Sequence, residues 1–343
     1  MISTQVNELV TTILENNEPL TDEQFQELLK TVRAGERERI QFREEFIPNA
    51  KKRAAAFSQN PVMANKVAQG FYALAEYTEA VKWFDWAGAG AMTCYLKACA
   101  LRELGQYDEA KDQFELAETK GYDSFQIAMA IVETIRRKGD LEAAEDHLKR
   151  VSRMGDIRAE YHFQVGALHD ANGRRLEALT EYERAVTLDP NHTRALFALA
   201  YGCDLYGDEQ NAINYYKKCI ASGHVHVSAL MNLVVLYEDR EEYDEAYKCI
   251  KQVLAAYPNH ERARLFLKDI ESSMTMYYDE DQERRVDKRN QVLQIPISDF
   301  ELSVRSRNCL KKMNIRCLGD LLRITEQELL AYKNFGETSL VEI

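Results

Sequence analysis

Glycine and proline are scarce, at 15 and 6 of 343 residues, together about half the usual share. That shortage disfavours sandwiches, barrels and doubly wound sheets, which need many turns, and favours long helices. No hydrophobic run approaches the roughly 20 apolar residues that span a bilayer. The start, Met1 to Glu8, lacks the basic residues and apolar core of a secretion signal, so a cytoplasmic chain is expected. The seven cysteines (Cys94, Cys99, Cys203, Cys219, Cys249, Cys309, Cys317) never fall as Cys-x-x-Cys, which reads as reduced, buried thiols rather than a disulfide or zinc framework. Enzyme motifs are missing too: there is no phosphate-cradling Gly-Lys-Ser/Thr loop, nucleophile elbow or dinucleotide fingerprint. A non-enzyme with no catalytic residues, metal or cofactor is expected. His162 and His169 read as packing residues, and the pair His224 and His226 has no cysteine or carboxylate cluster nearby to complete a metal site.

What is present is apolar and charged: 45 % hydrophobic and 29 % charged residues describe a folded, soluble chain. Its 44 basic and 56 acidic side chains leave −12, so the whole molecule is repelled by nucleic acid and by anionic membrane. Any such binding needs a local patch.

An internal repeat accounts for most of the chain. Alanines recur every 34 residues at Ala110, Ala144, Ala178, Ala212 and Ala246. Five residues earlier stand Gly105, Gly139, Gly173, Gly207 and Glu241, and four later Phe114, Leu148, Tyr182, Tyr216 and Ile250. Ala117, Val151, Ala185, Cys219 and Val253 follow three further on, and an offset copy reads Tyr77, Ala80, Phe84, Ala87. Each unit is expected to be a helix, a turn and a second helix. The alanines let the two helices approach and the bulky residues fill the groove beside them.

The stretch Leu104-Gly105-x-Tyr107-x-x-Ala110-x-x-x-Phe114-x-x-Ala117 resembles the tetratricopeptide repeat, over roughly residues 62–258 and about six units. The resemblance implies an all-α fold: a right-handed superhelix whose first helices line a concave groove, because one unit alone cannot bury its apolar face. The groove column then contains Tyr95, Met129, Phe163, Phe197 and Met231, with Tyr201 in the next column. Lys and Asn, which hold a C-terminal carboxylate in some members, are absent from these places. The aromatic and methionine ladder suits an apolar helix or extended peptide. Alternatively it packs against neighbouring first helices, or is covered by this chain's own C-terminal helix.

Four segments are expected. Residues 1–60 form an N-terminal helical cap, with a capping box at Thr21 and Gln24. Residues 61–258 form the superhelix. Residues 259–294 form a closing helix, with Leu265, Phe266, Ile270, Met274 and Tyr277 on one face, and a charged linker. Residues 295–343 form a small helical module holding seven basic and seven acidic residues, so all of the −12 lies upstream; Arg305 to Arg316 holds five positive charges and no negative one.

Within that module, Ile297-Ser-Asp-Phe-Glu-Leu-Ser-Val-Arg-Ser-Arg-Asn-Cys-Leu-Lys311, Ile315 to Leu322 and Asn334 to Ile343 resemble the C-terminal domain of the bacterial RNA polymerase alpha subunit. The resemblance implies a compact helix-hairpin-helix unit that binds A/T-rich DNA and contacts activators. It makes Arg305 the minor-groove arginine, a role that suits the focused negative potential of narrow A-tract grooves. Asn308 and Cys309 match residues supporting that contact, and Gly336 and Ser339 match a phosphate-binding hairpin. Glu337 and Thr338 stand where the family commonly has lysines, which lowers the counterion-release contribution. The chain stops at Ile343 just as the family's last helix begins, so a truncated last helix is expected. Together these features describe a transcription-associated adaptor, its groove on a protein partner and its module on A/T-rich DNA or on polymerase-bound regulators. The other reading is a protein-binding scaffold with a DNA-incompetent module. Neither involves a membrane or a small-molecule substrate.

Overall fold

The computed structural model describes residues 2–221, 226–333 and 335–343, the side chains of 2–5, 154 and 276–283 excepted. It divides into two compact units, Met1–Ile270 and Glu271–Ile343. Among the described residues all regular structure is helical, apart from an isolated bridge between Pro296 and Cys317.

The first unit opens with α1 (Ile2–Leu14), α2 (Asp22–Val32), α3 (Glu36–Lys52) and a single-turn α4 (Ala54–Phe57). Thr21 and Gln24 form the expected capping box on α2. Six helical hairpins follow: α5–α6 (Pro61–Ala73, Tyr77–Ala87), α7–α8 (Ala91–Glu103, Tyr107–Thr119), α9–α10 (Ser124–Lys138, Leu141–Gly155), α11–α12 (Ala159–Ala171, Arg175–Leu188), α13–α14 (Thr193–Leu205, Glu209–Ala221) and α15–α16 (Val227–Asp239, Tyr243–Ala256). Every alanine of the repeat column, Ala80 included, is fully buried. Phe84, Phe114, Leu148, Tyr182, Tyr216 and Ile250 are buried beside them, so the 34-residue spacing is the spacing of the core.

The turn column behaves uniformly. The residue five before each alanine has positive φ in all six hairpins: Ala75 61°, Gly105 78°, Gly139 95°, Gly173 76°, Gly207 77° and Glu241 58°. Four are glycine; at Ala75 and Glu241 a Cβ occupies left-handed space, which costs about 1–2 kcal/mol. Glycine returns part of that through its floppier unfolded chain. Glu241→Gly is therefore expected to stabilise the protein by about 0.5–1 kcal/mol, read as a rise in the urea midpoint. An unchanged or lowered midpoint would mean that this turn carries no strain.

The N-terminal helices dock on the first hairpin. Phe25, Phe42 and Phe46 are buried with Phe71 and Trp83, and a Cβ at Gly70 would lie 2.4 Å from the Phe46 ring, so α3 approaches α5 at backbone distance. Lys66 of α5 is completely buried and donates to the carbonyls of Thr12 and Asn16, 2.6 Å each. These N-terminal elements also meet the end of the repeat array. The Tyr257 hydroxyl donates to the Arg33 carbonyl (3.4 Å), and the Glu36 carboxylate accepts from both the backbone N–H and the side-chain amide of Asn259 (3.2 Å each).

The charged stretch and the closing segment form one helix, α17 (Glu261–Leu293). On the last hairpin it buries Ala263 and Ile270, with Phe266 and Leu267 partly covered; Leu265 is 64 % exposed and Met274 is exposed. Phe266 and Ile270 of the expected face therefore pack, joined by Ala263 and Leu267 at helical spacing, whereas Leu265 and Met274 do not; the Tyr277 side chain lies outside those described.

In the second unit, α18 (Val304–Lys312), α19 (Leu318–Leu321), α20 (Glu326–Leu330) and α21 (Glu337–Glu342) surround Ile297, Cys309, Leu310, Ile315, Leu329 and Phe335. Thr325 and Glu328 form a capping box on α20. Asn314, at φ 59°, ends α18 with the Ile315 N–H bonded back to Leu310 O (3.0 Å).

Candidate peptide groove and nucleic-acid interface

The ladder residues divide by depth. Met129, Phe163 and Met231 are buried, Tyr95 and Phe197 are half-buried, and Tyr201 is 49 % exposed. Tyr95 stacks on Tyr122 with centroids 4.3 Å apart, and Phe197 stacks on His226 at 4.7 Å. Phe163 lies between Tyr182 and His192, with the Arg194 guanidinium 4.3 Å from its ring. The ladder is therefore partly packing, one of the three roles its spacing left open. It still lines three depressions, of about 530 Å³ at Tyr95 and Met129, about 430 Å³ at Phe163 and Phe197, and about 320 Å³ at Tyr201 and Met231.

Beside the ladder lies a charge network that sequence reasoning missed. The Glu133 side chain is only 7 % exposed, with Arg137 Nη2 at 2.9 Å, Arg194 Nη2 at 3.0 Å and Arg102 Nη1 at 3.5 Å. Arg194 also reaches Glu160 (3.3 Å), which His192 Nε2 approaches at 3.0 Å. Burial alone would push the Glu133 carboxyl pKa up; the guanidinium groups of Arg102, Arg194 and Arg137 outweigh it and hold the pKa below the ordinary glutamate value. The network joins α7, α9, α11 and α13, four consecutive units. The repeat gave no signal for it, because Arg102, Arg137 and Arg194 stand at different positions of their units.

Histidine marks the same face. His192, His226 and His260 recur every 34 residues, and each Nδ1 accepts the backbone N–H three residues on, at 3.1 Å. Each imidazole thus caps the helix that follows it, α13, α15 and α17 in turn. His162 is buried between Glu181 (2.7 Å) and the Asp156 carbonyl (3.1 Å). His224 lies outside the described residues. Among the described residues no group of three or more His, Cys, Asp or Glu is placed to hold a metal, and no helix is long and apolar enough to cross a membrane.

In the second unit α18 carries the basic residues. Arg305, Asn308 and Lys312 fall three and four apart on one exposed face, with Arg307 and Lys311 exposed beside them. Arg307 Nη2 donates to the Leu302 carbonyl (3.3 Å). Cys309 is 6 % exposed and sits in the core under that face, so any part it plays is in positioning α18. The start of α18 is occupied from within: the Glu342 carboxylate accepts from the Ser306 hydroxyl and from the Ser303 N–H and hydroxyl, which holds the Glu342 pKa down. Gly336 caps α21 with open space where a Cβ would stand, Ser339 is buried at 4 %, and Asn334 lies outside the described residues. Glu337 and Thr338, both exposed, occupy the first turn of α21.

Comparison with known proteins divides the sequence the same way. Residues 283–343 match the family model for the C-terminal domain of the bacterial RNA polymerase alpha subunit, and residues 95–156, 159–192 and 229–263 match tetratricopeptide repeat models. Relatives include the DNA-directed RNA polymerase subunit alpha of Desulfotalea psychrophila, 54 % identical over 56 residues, and that of Chlorobaculum tepidum, 56 % identical over 52 residues. The match covers 16 % of each relative, and 16 % and 15 % of this chain, so the chain spans about one sixth of the curated relatives it matches. Among solved structures, yeast Tom70 aligns with TM-score 0.51 and 13 % identity over 80 % of this chain and 70 % of that one. TTC0263, a thermophilic TPR protein of Thermus thermophilus, aligns with TM-score 0.42 and 17 % identity over 54 % of this chain and 100 % of that one. The chain thus joins an array of tetratricopeptide repeats, a fold for binding other proteins, to a C-terminal domain of the bacterial RNA polymerase alpha type.

Proposed function

We propose that the protein is a non-catalytic, transcription-associated adaptor: its groove holds a protein partner while its C-terminal domain docks on A/T-rich DNA or on polymerase-bound regulators. The observation that carries this reading is α18, where Arg305, Arg307, Lys311 and Lys312 are exposed and no acidic residue interrupts them. In a chain of net charge −12 that helix is a local basic edge. A guanidinium at Arg305, flanked by Asn308, suits a narrow, electronegative minor groove. Tethering both sites in one chain raises the effective concentration of each ligand for the other, so neither contact has to be strong alone.

The test is fluorescence anisotropy of a labelled A-tract duplex with the full chain at about 50 and 200 mM salt, a range over which phosphate contacts weaken measurably. Wild type is expected to bind, to lose affinity as salt rises, and to lose about tenfold or more on Arg305→Ala. Absent or salt-independent binding would leave the second reading, a protein-binding scaffold. One observation favours that alternative: Glu337 places a negative charge at the first turn of α21, where a phosphate would have to approach.

A further inference from the structure

The last turns of the first helices carry a second 34-residue column: Arg102, Arg136, Asp170, Asp204 and Glu238. Its sign changes once, between the third and fourth hairpins. Two members have internal partners: the Arg102 Nη1 lies 3.5 Å from Glu133, although its buried Nε has no hydrogen-bond partner, and Asp170 accepts from the Tyr182 hydroxyl at 2.8 Å. The others are not balanced in this way. Arg136 lines the depression at Phe163 and Phe197 and keeps a buried Nε with no hydrogen-bond partner. Asp204 has Asp239 and Glu209 for neighbours, and Glu238 has Asp269 and Asp239; partial burial and this repulsion push both carboxyl pKa values up. Arg194, already paired with Glu133 and Glu160, lines the same depression as Arg136, and Arg262, lying over the Phe266 ring, lines the one at Tyr201 and Met231. Phe197, Tyr201 and Met231 form an apolar floor, and Asp204 and Glu238 stand seven residues after Phe197 and Met231, on the same face of α13 and α15.

A groove of this kind reads charge along its length. We propose that it selects an amphipathic helical segment with one bipolar flank, acidic opposite Arg136 and basic opposite Asp204 and Glu238. This inference rests on the groove binding a protein partner. Packed helices lie about 8–10 Å apart, so three hairpins separate Arg136 from Glu238 by roughly 25–30 Å. A helix of about 20 residues spans that length. Its apolar face covers the floor, and its charged flank relieves the repulsion among the carboxylates at one end and gives the Arg136 guanidinium an acceptor at the other.

The probes are four fluorescein-labelled helical peptides of about 20 residues, sharing one Leu/Ala face and differing only in the flank: Glu then Lys, all Glu, all Lys, or all Gln. Binding to the full chain is read by anisotropy. The bipolar peptide is expected to bind about tenfold tighter than the Gln peptide, a difference of about 1.4 kcal/mol. Arg136→Glu and the pair Asp204→Lys with Glu238→Lys should each bring the ratio of bipolar to Gln peptide affinity down to about one, with circular dichroism confirming the fold. Equal binding of the Gln and bipolar peptides overturns the inference and leaves the groove reading standing. Equal binding of the all-Lys and bipolar peptides overturns it too, because Arg136 then contributes nothing. If no peptide binds, both readings fall.

Discussion

Glu133→Ala is expected to cost about 3–5 kcal/mol, the usual penalty for breaking a buried ion pair and leaving one partner stranded. The stranded group is Arg102, whose side chain is only 13 % exposed and whose Nε already lacks a hydrogen-bond partner. Arg137 and Arg194 are more exposed and can turn to water, so they add less. Glu133→Gln, which keeps shape and some hydrogen bonding, is expected to cost about half as much. The pH dependence follows from the lowered carboxyl pKa. The folded protein binds the Glu133 proton less readily than the unfolded chain, so this contribution is complete above the ordinary glutamate pKa of 4.5 and disappears as pH falls through the lower folded value. Urea unfolding at neutral pH and again in acid checks both points: the gap between wild type and Glu133→Gln should narrow in acid. A gap that persists there would mean the carboxylate charge is not what stabilises the groove. Cooperativity should fall as well, since Arg194 and Glu133 tie the fifth hairpin to the third, whereas most solenoid units interact only with their neighbours.

Lys66→Ala is expected to cost about 3 kcal/mol or more and to release α1. The last carbonyls of a helix have no partner within it. For α1 the Thr12 carbonyl and the following Asn16 carbonyl are served by the Lys66 ammonium, and the Leu14 carbonyl by Arg53 (3.3 Å). Each charge-assisted bond is worth about 1.5–3 kcal/mol. Burial offsets part of this: it lowers the Lys66 pKa against the opposing pull of Glu18. Lys66→Met keeps the aliphatic stem but leaves both carbonyls unserved, so it should fall between alanine and wild type. Thermal unfolding measures the loss, and limited proteolysis should cut the variants first before the first hairpin. An alanine variant as stable as wild type and uncut there would show that α1 is held by its apolar face alone.

The hairpins were legible because one alanine per unit sets helix–helix distance, and a residue that must be small leaves a period in the sequence. The positive φ at Glu241 was visible only by alignment with four glycines, and at Ala75 only once the earlier, offset copy is counted. The ladder was legible as a column but not by depth, since Met231 is covered and Tyr201 is open. Depth depends on how successive hairpins tilt, which no single unit encodes. The Glu133 network was hidden because its arginines sit at different positions of their repeats and converge only through that tilt. In the second unit the resemblance located Cys309 and Ser339 but could not say that both face inward, because a matching letter carries position and not orientation.

The bonds from Glu36 to Asn259 and from Tyr257 to the Arg33 carbonyl join parts of the sequence more than two hundred residues apart. Solenoid genes commonly gain or lose units with little penalty, because an open array has nothing waiting at its far end. Here something is waiting. A duplicated or deleted hairpin would carry Asn259 past Glu36 or leave it short, so this array is held to its present number of units by its own closure.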